Sequence, residues 1–308
     1  MDIIKRNFFR LLRCGALGDN ETLEPMSLFK WRKLIALVRF KKVDAVAANG
    51  ANRYSKSQPQ EMPPVIVAEL NSTPEATGDT AVVSLPEAAM SNFLLNRRLN
   101  KIRDNEVHAI DTSVETLTAL NIIVYNTYLL LNSGLSINAI LCLGKYMRTR
   151  GDKVDFVKLS TWLASLHIQR MAQLEGSILV KFFGFEQDEL PFMRKNEGKA
   201  TDIMRRTLSK KSASDAEDLR FWQDKSGFVA GNTNVLRHKI WSAIRYMNYA
   251  PIEASSNFFK NLANSLAKIE ELVRHTTPSL PATTDIPPPA QMAEGAVVNN
   301  CKKNVTSV

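Results

Sequence analysis

Few residues of this chain could do chemistry of their own. Its 4 His and 3 Cys include no two at metal-ligand spacing, and no H-E-x-x-H helix or C-x-x-C pair occurs. There is no Walker phosphate loop, no G-x-G-x-x-G turn and no G-x-S-x-G elbow. The best-placed titratable group is His167, beside Gln169 and Arg170 and shortly after Asp155 and Lys158. Such a histidine could bind a ligand or move a proton; the competing expectation is a histidine that closes a helix–helix corner through backbone hydrogen bonds. His108, His238 and His275 have no carboxylate or Cys at useful spacing. The sequence therefore leads us to expect no catalytic residue, no metal and no cofactor, and leans away from an enzyme.

The collective signal is basic. The chain carries 40 Lys+Arg against 31 Asp+Glu, a formal charge of +9. Arg32, Lys33, Arg39, Lys41 and Lys42 cluster on one predicted helix, and Arg148, Arg150 and Lys153 cluster at the end of another. Cations favour helix C-termini through the macrodipole alone, so a solvated basic surface is one expectation. A face that contacts phosphate is the other, with Arg170 and His167 as further binding candidates. No aromatic–basic signature of an RNA-binding module accompanies them. Trp31, Trp162 and Trp241 sit in apolar periodic stretches, where core packing is expected; Trp222 lies in a loop-like stretch.

Composition bounds the rest. Hydrophobic residues are 44% and charged residues 23% of 308, which excludes collagen, a fully disordered chain and a disulfide scaffold. Cys14, Cys142 and Cys301 are odd in number and far apart, favouring a reducing cytoplasm. The basic, interrupted N-terminus does not read as a secretory signal. As a basic amphipathic helix it could lie on a membrane, but docking on the bundle is the expectation. Residues 116–144 carry no charge, but Asn132, Ser133 and Gly134 divide them into apolar halves that read as too short to span a membrane. A buried helical hairpin is expected there.

The elements that position these residues read as an all-α, multi-helix bundle. Ile4, Phe8 and Leu11 share one helix side, with Gly15 as its stop; Ser27 caps a second helix carrying Leu28, Trp31, Ile35 and Val38, continuing into VDAVAANG. Residues 47–93 read as a long irregular connector in which VIVAEL at 65–70 resembles a lone strand. Capping boxes at Ser84-x-x-Glu87 and Thr112-x-x-Glu115 open the next helices. In the second, Leu117, Leu120, Val124, Tyr128 and Leu131 share a face. Ser136 and Asp155 cap two more, and a helix with Met171, Leu174, Ile178 and Phe182 inward ends at Gly184. Residues 197–211 look helical and 212–232 loop-like; Asn234 caps a helix, and Pro251 starts the last one. The resulting layout is N-terminal helices at 1–46 packing on the bundle, the connector at 47–93, a helical bundle domain at 94–275, and a Pro/Thr/Ala-rich tail at 276–308 that reads as disordered.

Two stretches carry a resemblance: RNFFRLLRCGAL with LEPMSLFKWRKLIALV, and the long run from LNIIVYNTYLLLNSGLSINAILCLGKYMRTRG to ILVKFFGF. They resemble a family of uncharacterised Bacteroidetes proteins and, more loosely, the helical half of nucleotidyltransferase-like proteins, over residues 1–46 and 94–275. That family's chemistry needs a Gly-Ser turn followed by an Asp-x-Asp pair to seat Mg²⁺. Neither occurs; Asp152 and Asp155 are three apart with no Gly-Ser before them, and Tyr125, Asn132 and Lys145 match no family partner. The resemblance implies a helical remnant or non-catalytic relative. The leading expectation is a domain that binds another protein or a nucleotidyltransferase-like partner, with a nucleic-acid or nucleotide binder using the basic helix ends, or an enzyme of unrecognised type, as alternatives.

Overall fold

A computed structural model describes residues 1–57, 62–72, 88–107, 113–209 and 244–276. The 276–308 tail, all but its first residue, lies outside them, as do the 212–232 loop, Asn234, Trp222 and Trp241, and the capping boxes' Ser84, Glu87 and Thr112. Residues 1–265 form one compact unit; of the second, 266–308, the described part is a helical run ending at Thr276.

The protein is all-α: every regular element among the described residues is helical. In chain order these are α1 (Ile3–Leu17), α2 (Leu28–Phe40), α3 (Asp44–Ser57), α4 (Pro64–Asn71), α5 (Phe93–Val107), α6 (Val114–Asn132), α7 (Ile137–Arg150), α8 (Phe156–Ser165), α9 (Gln169–Phe183), α10 (Ala200–Thr207) and α11 (Pro251–Thr276). A 3-10 turn, Gly151–Lys153, follows α7.

Helix α1 is central. The Asp2 carboxylate accepts from the Lys5 amide at 2.9 Å and starts it. Phe8, Phe9, Leu11 and Leu12 are all buried, so its apolar side docks on the bundle, against α2, α3, α7 and α9. Its outer cations are tied down: Arg6 and Arg10 pair with Glu24, and Arg10 and Arg13 with Glu21. The expected stop at Gly15 is wrong. The helix runs to Leu17 and ends at Gly18, whose φ of +80° is left-handed. Gly15 is instead a contact point. A Cβ there would collide with the Val46 carbonyl oxygen and come within 2.8 Å of the Gly50 amide nitrogen, while one on Gly50 would collide with the Leu11 carbonyl oxygen. The α1 and α3 backbones therefore touch where both side chains are missing.

The second helix does not continue into VDAVAANG. It stops at Phe40 and α3 begins at Asp44. The break is a Schellman turn: the Lys42 amide donates to the Arg39 carbonyl and the Val43 amide to that of Val38, at 3.0 and 3.2 Å. Lys42 holds the left-handed position, φ +53°, usually given to glycine. Residues 65–70 are likewise corrected, from strand to helix α4. Pro64 occupies the first turn, and Ile66 and Leu70, four apart, are the buried pair. The stretch read as connector thus carries most of α3 and all of α4. The described part of α5 begins at Phe93, with the Asn92 side chain accepting from the Leu95 amide.

The central helices fall where the periodicity places them. Ser113, one residue after the expected Thr112, caps α6; Ser136 caps α7; Asp155 caps α8 by accepting from the Val157 and Lys158 amides at 3.0 and 2.9 Å. Gly184, φ +68°, ends α9, and Pro251 starts α11. Leu28 and Tyr128, spaced with the apolar residues of α2 and α6, are nevertheless exposed. Helix α6, at 19 residues, is long and apolar enough to cross a membrane, so the halves are not both too short. It packs against α5, α7, α8 and α9, with 56% of its apolar window buried.

Candidate functional site

Where α1, α3 and α7 meet, a cleft of about 640 Å³ opens at the surface. Its floor is the end of α1, Gly15 to Gly18, and it has this shape because the two glycines let α1 and α3 close up beneath it. Helix α3 contributes Asn49, Asn52, Arg53 and Lys56 at intervals of three and four, which puts them on one face. Helix α7 contributes Lys145, Arg148 and Thr149 by the same periodicity. Four cations line the cleft, with no carboxylate among the lining residues.

The cations differ in how they are held. Arg148 is fixed on all sides: Nη1 to Asp19 at 2.6 Å, Nε to Glu189 at 3.1 Å, Nη2 to the Gly184 carbonyl at 3.1 Å, and its guanidinium 4.3 Å above the Phe185 ring. It therefore works as a wall. Arg53 donates Nη1 to the Cys14 carbonyl at 3.4 Å, a long bond to an α1 C-terminal carbonyl, and its side chain is otherwise exposed. Lys56 is exposed on the last turn of α3. Asn52 exchanges amide hydrogen bonds with Asn71 of α4 at 2.9 and 3.0 Å, which holds its head group still. Beneath the floor, Cys14 is buried, its thiol facing the Gly50 carbonyl at 3.6 Å and pushed up in pKa by that burial.

Of the expected binding residues, Arg148 lines this cleft. Arg150 and Lys153 are exposed and are not among its lining residues. Arg170 lies on α9, where it donates to the Asn248 carbonyl at 2.8 Å, pairs with Glu197 at 3.4 Å and covers the Tyr249 ring at 5.3 Å. Those are structural ties. His167 is exposed in the α8–α9 corner with φ +56°. Its amide donates to the Ala164 carbonyl and the Ile168 amide to that of Leu163, both at 3.1 Å, a second Schellman turn. The backbone of His167 thus helps close the corner.

Arg32, Lys33, Arg39, Lys41 and Lys42 are not cleft residues either; they belong to α2 and its C-terminal turn. Asp155, the carboxylate nearest in pattern to a metal motif, is occupied as a helix cap. Among the described residues no group of three His, Cys, Asp or Glu could hold a metal ion.

Sequence reasoning missed Arg53 and Lys56, which sit in the stretch read as connector, and did not count Lys145 among the binding residues. A signal was present: AANGANRYSK has small residues at 47, 48, 50 and 51 and polar ones at 49, 52, 53 and 56, a helix with one face for close packing and another for solvent. Comparison of the chain with protein-family models, with curated proteins and with solved structures finds no match.

Proposed function

We propose that this chain is a non-catalytic helical binding protein whose α1–α3–α7 cleft takes a phosphate-bearing small molecule of about nucleotide size. The observation that carries this is the convergence of Arg53, Lys56, Lys145 and Arg148 from two helices on one concavity without a lining carboxylate. Helix macrodipoles explain a cation at each helix end. They do not explain why cations from separate helices face the same space. A volume of about 640 Å³ is within the range of ligand pockets.

Arg53 and Lys56 would meet the phosphate oxygens, each charge-assisted bond being worth about 1.5–3 kcal/mol. Asn49 and Asn52 supply donors and acceptors for a neutral polar part. Arg148, held by Asp19 and Glu189, keeps the wall in place. On this proposal the chain resembles the helical half of nucleotidyltransferase-like proteins in form while lacking the carboxylates for turnover. The free thiols Cys14 and Cys142 are in keeping with a reducing cytoplasm.

The test is calorimetric titration of the full chain with nucleoside mono-, di- and triphosphates and with inorganic pyrophosphate, at low and moderate salt. Saturable binding that weakens with salt and falls about tenfold to a hundredfold in R53A/K56A supports the proposal. No binding by any probe, or affinity unchanged in R53A/K56A, refutes it.

A further inference from the structure

We propose that the outer face of α2 is a docking surface for an anionic lipid membrane. This site is separate from the cleft and does not rest on it. At 100° per residue, Phe29, Lys33, Ala36 and Phe40 form a stripe along the outside of the helix. Trp31, Leu34, Ile35 and Val38 occupy the opposite, buried side. Arg32 and Arg39 flank the stripe on one side and Lys30 on the other. Lys41 and Lys42 follow at its end.

Six cations therefore lie between Lys30 and Lys42, and no Asp or Glu interrupts them. Glu21 and Glu24 are held by the arginines of α1, and Glu69 pairs with Arg39 at 3.8 Å. Lys30, Arg32, Lys33 and Lys42 are exposed, whereas Lys41 is half-buried and that burial pushes its ammonium down to about 8.

The apolar part of this face is unusual for a solvated helix. Phe29 is 67% exposed and Leu28 43% exposed, side by side in the first turn. The Lys33 ammonium stands 4.4 Å from the centre of the Phe29 ring, and the Lys41 ammonium 4.0 Å from that of Phe40. Each aromatic ring thus has a cation beside it, with the rings about 16 Å apart along the helix at 1.5 Å per residue.

A convex, acid-free helix face bearing exposed aromatic and aliphatic side chains matches the interface of an anionic bilayer. The Phe29 ring and Leu28 enter the headgroup–acyl boundary, half-buried Phe40 stays at its rim, and the ammonium and guanidinium groups stay among the phosphates. A nucleic acid would use the cations and could stack a base on Phe29. It would gain nothing from Leu28, and that side chain decides between the two partners.

The experiment is co-sedimentation of the full-length protein with vesicles of phosphatidylcholine alone and of equimolar phosphatidylcholine and phosphatidylserine. We expect binding to the mixed vesicles and none to the neutral ones. One cation near such a surface contributes about fivefold, so K30A/R32A/K33A should bind about a hundredfold more weakly. All three side chains are exposed, and circular dichroism checks that the variant stays folded. L28A and F29A should each lower binding to the mixed vesicles several-fold.

The proposal is overturned if the protein ignores the mixed vesicles, if it binds both kinds equally, or if the charge variant binds as the parent does. It is also overturned if single-stranded RNA displaces the protein from vesicles and F29A weakens RNA binding while L28A changes neither interaction. That outcome assigns the face to nucleic acid.

Discussion

Replacing Glu175 with Gln should flatten the dependence of stability on pH. Glu175 lies in α9 with 1% of its surface exposed, in the core beside α6. Its Oε2 accepts from Asn126 Nδ2 at 3.0 Å, and the same Asn126 amide donates to the Ala139 carbonyl at 3.1 Å. Glu175 Oε1 and Asn126 Oδ1 are both buried without a hydrogen-bond partner. Burial holds the carboxyl well above its ordinary value, and the single bond from Asn126 only partly opposes this. Below the ordinary glutamate range both folded and unfolded chains carry the proton, and full stability is present. Above it the unfolded chain releases a proton that the folded chain keeps. Stability then falls by about 1.4 kcal/mol per pH unit until the folded carboxyl ionises as well. Gln has nearly the same shape, keeps an acceptor for Asn126 Nδ2, and brings an N–H₂ that can reach Asn126 Oδ1. E175Q should therefore match the parent at pH 4 and exceed it increasingly as the pH rises, with the difference growing at that slope. Urea unfolding followed by circular dichroism across pH 4 to 8 measures it. Parallel curves for the two proteins, or an E175Q less stable at every pH, would refute the reasoning.

Lys42 and His167 hold left-handed positions that cost a side-chain-bearing residue about 1–2 kcal/mol. After the entropy cost of glycine, K42G and H167G should each raise stability by about 0.5–1 kcal/mol in urea titrations. G15A and G50A should each destabilise by about 3 kcal/mol or more, because the obstacle is a backbone carbonyl that cannot rotate away; thermal melts that leave either variant unchanged would contradict the close approach of α1 and α3. Glu253, buried in α11, accepts from the Ser91 amide and from the Asn92 amide at 3.1 Å. E253A strands both donors and should cost about 2–3 kcal/mol, with faster amide hydrogen exchange at 91–95 as its local signature.

The helical bundle was legible where apolar spacing and caps agree. Ser136, Asp155, Gly184 and Pro251 each combine a local signal with a periodic run, and each marks a real helix end. The failures share a cause. VIVAEL reads as strand because β-branched residues favour extended backbone locally, yet Ile66 and Leu70 gain burial only on a helix. Gly15 reads as a stop because a glycine that ends a helix and one that admits a neighbouring backbone look the same without the neighbour. The cleft was hidden for a related reason: Arg53 and Arg148 are far apart in the chain, and only the crossing of α1 with α3 and α7 brings them to one space. Local rules found Arg148, which ends a clear helix, and passed over Arg53 and Lys56, which follow a break at Lys42 that no glycine announces.

The missing side chains at Gly15 and Gly50 bind two properties into one. Gly15 is at once the point of contact between helices and part of the surface a ligand would touch. Any atom added there acts as a wedge: it lifts α3 off α1, carries Arg53 and Lys56 outward with it, and resets the spacing between charges without altering a single charged residue. On the proposed function, affinity at this place is geared to fold stability, and substitutions aimed at one register in the other.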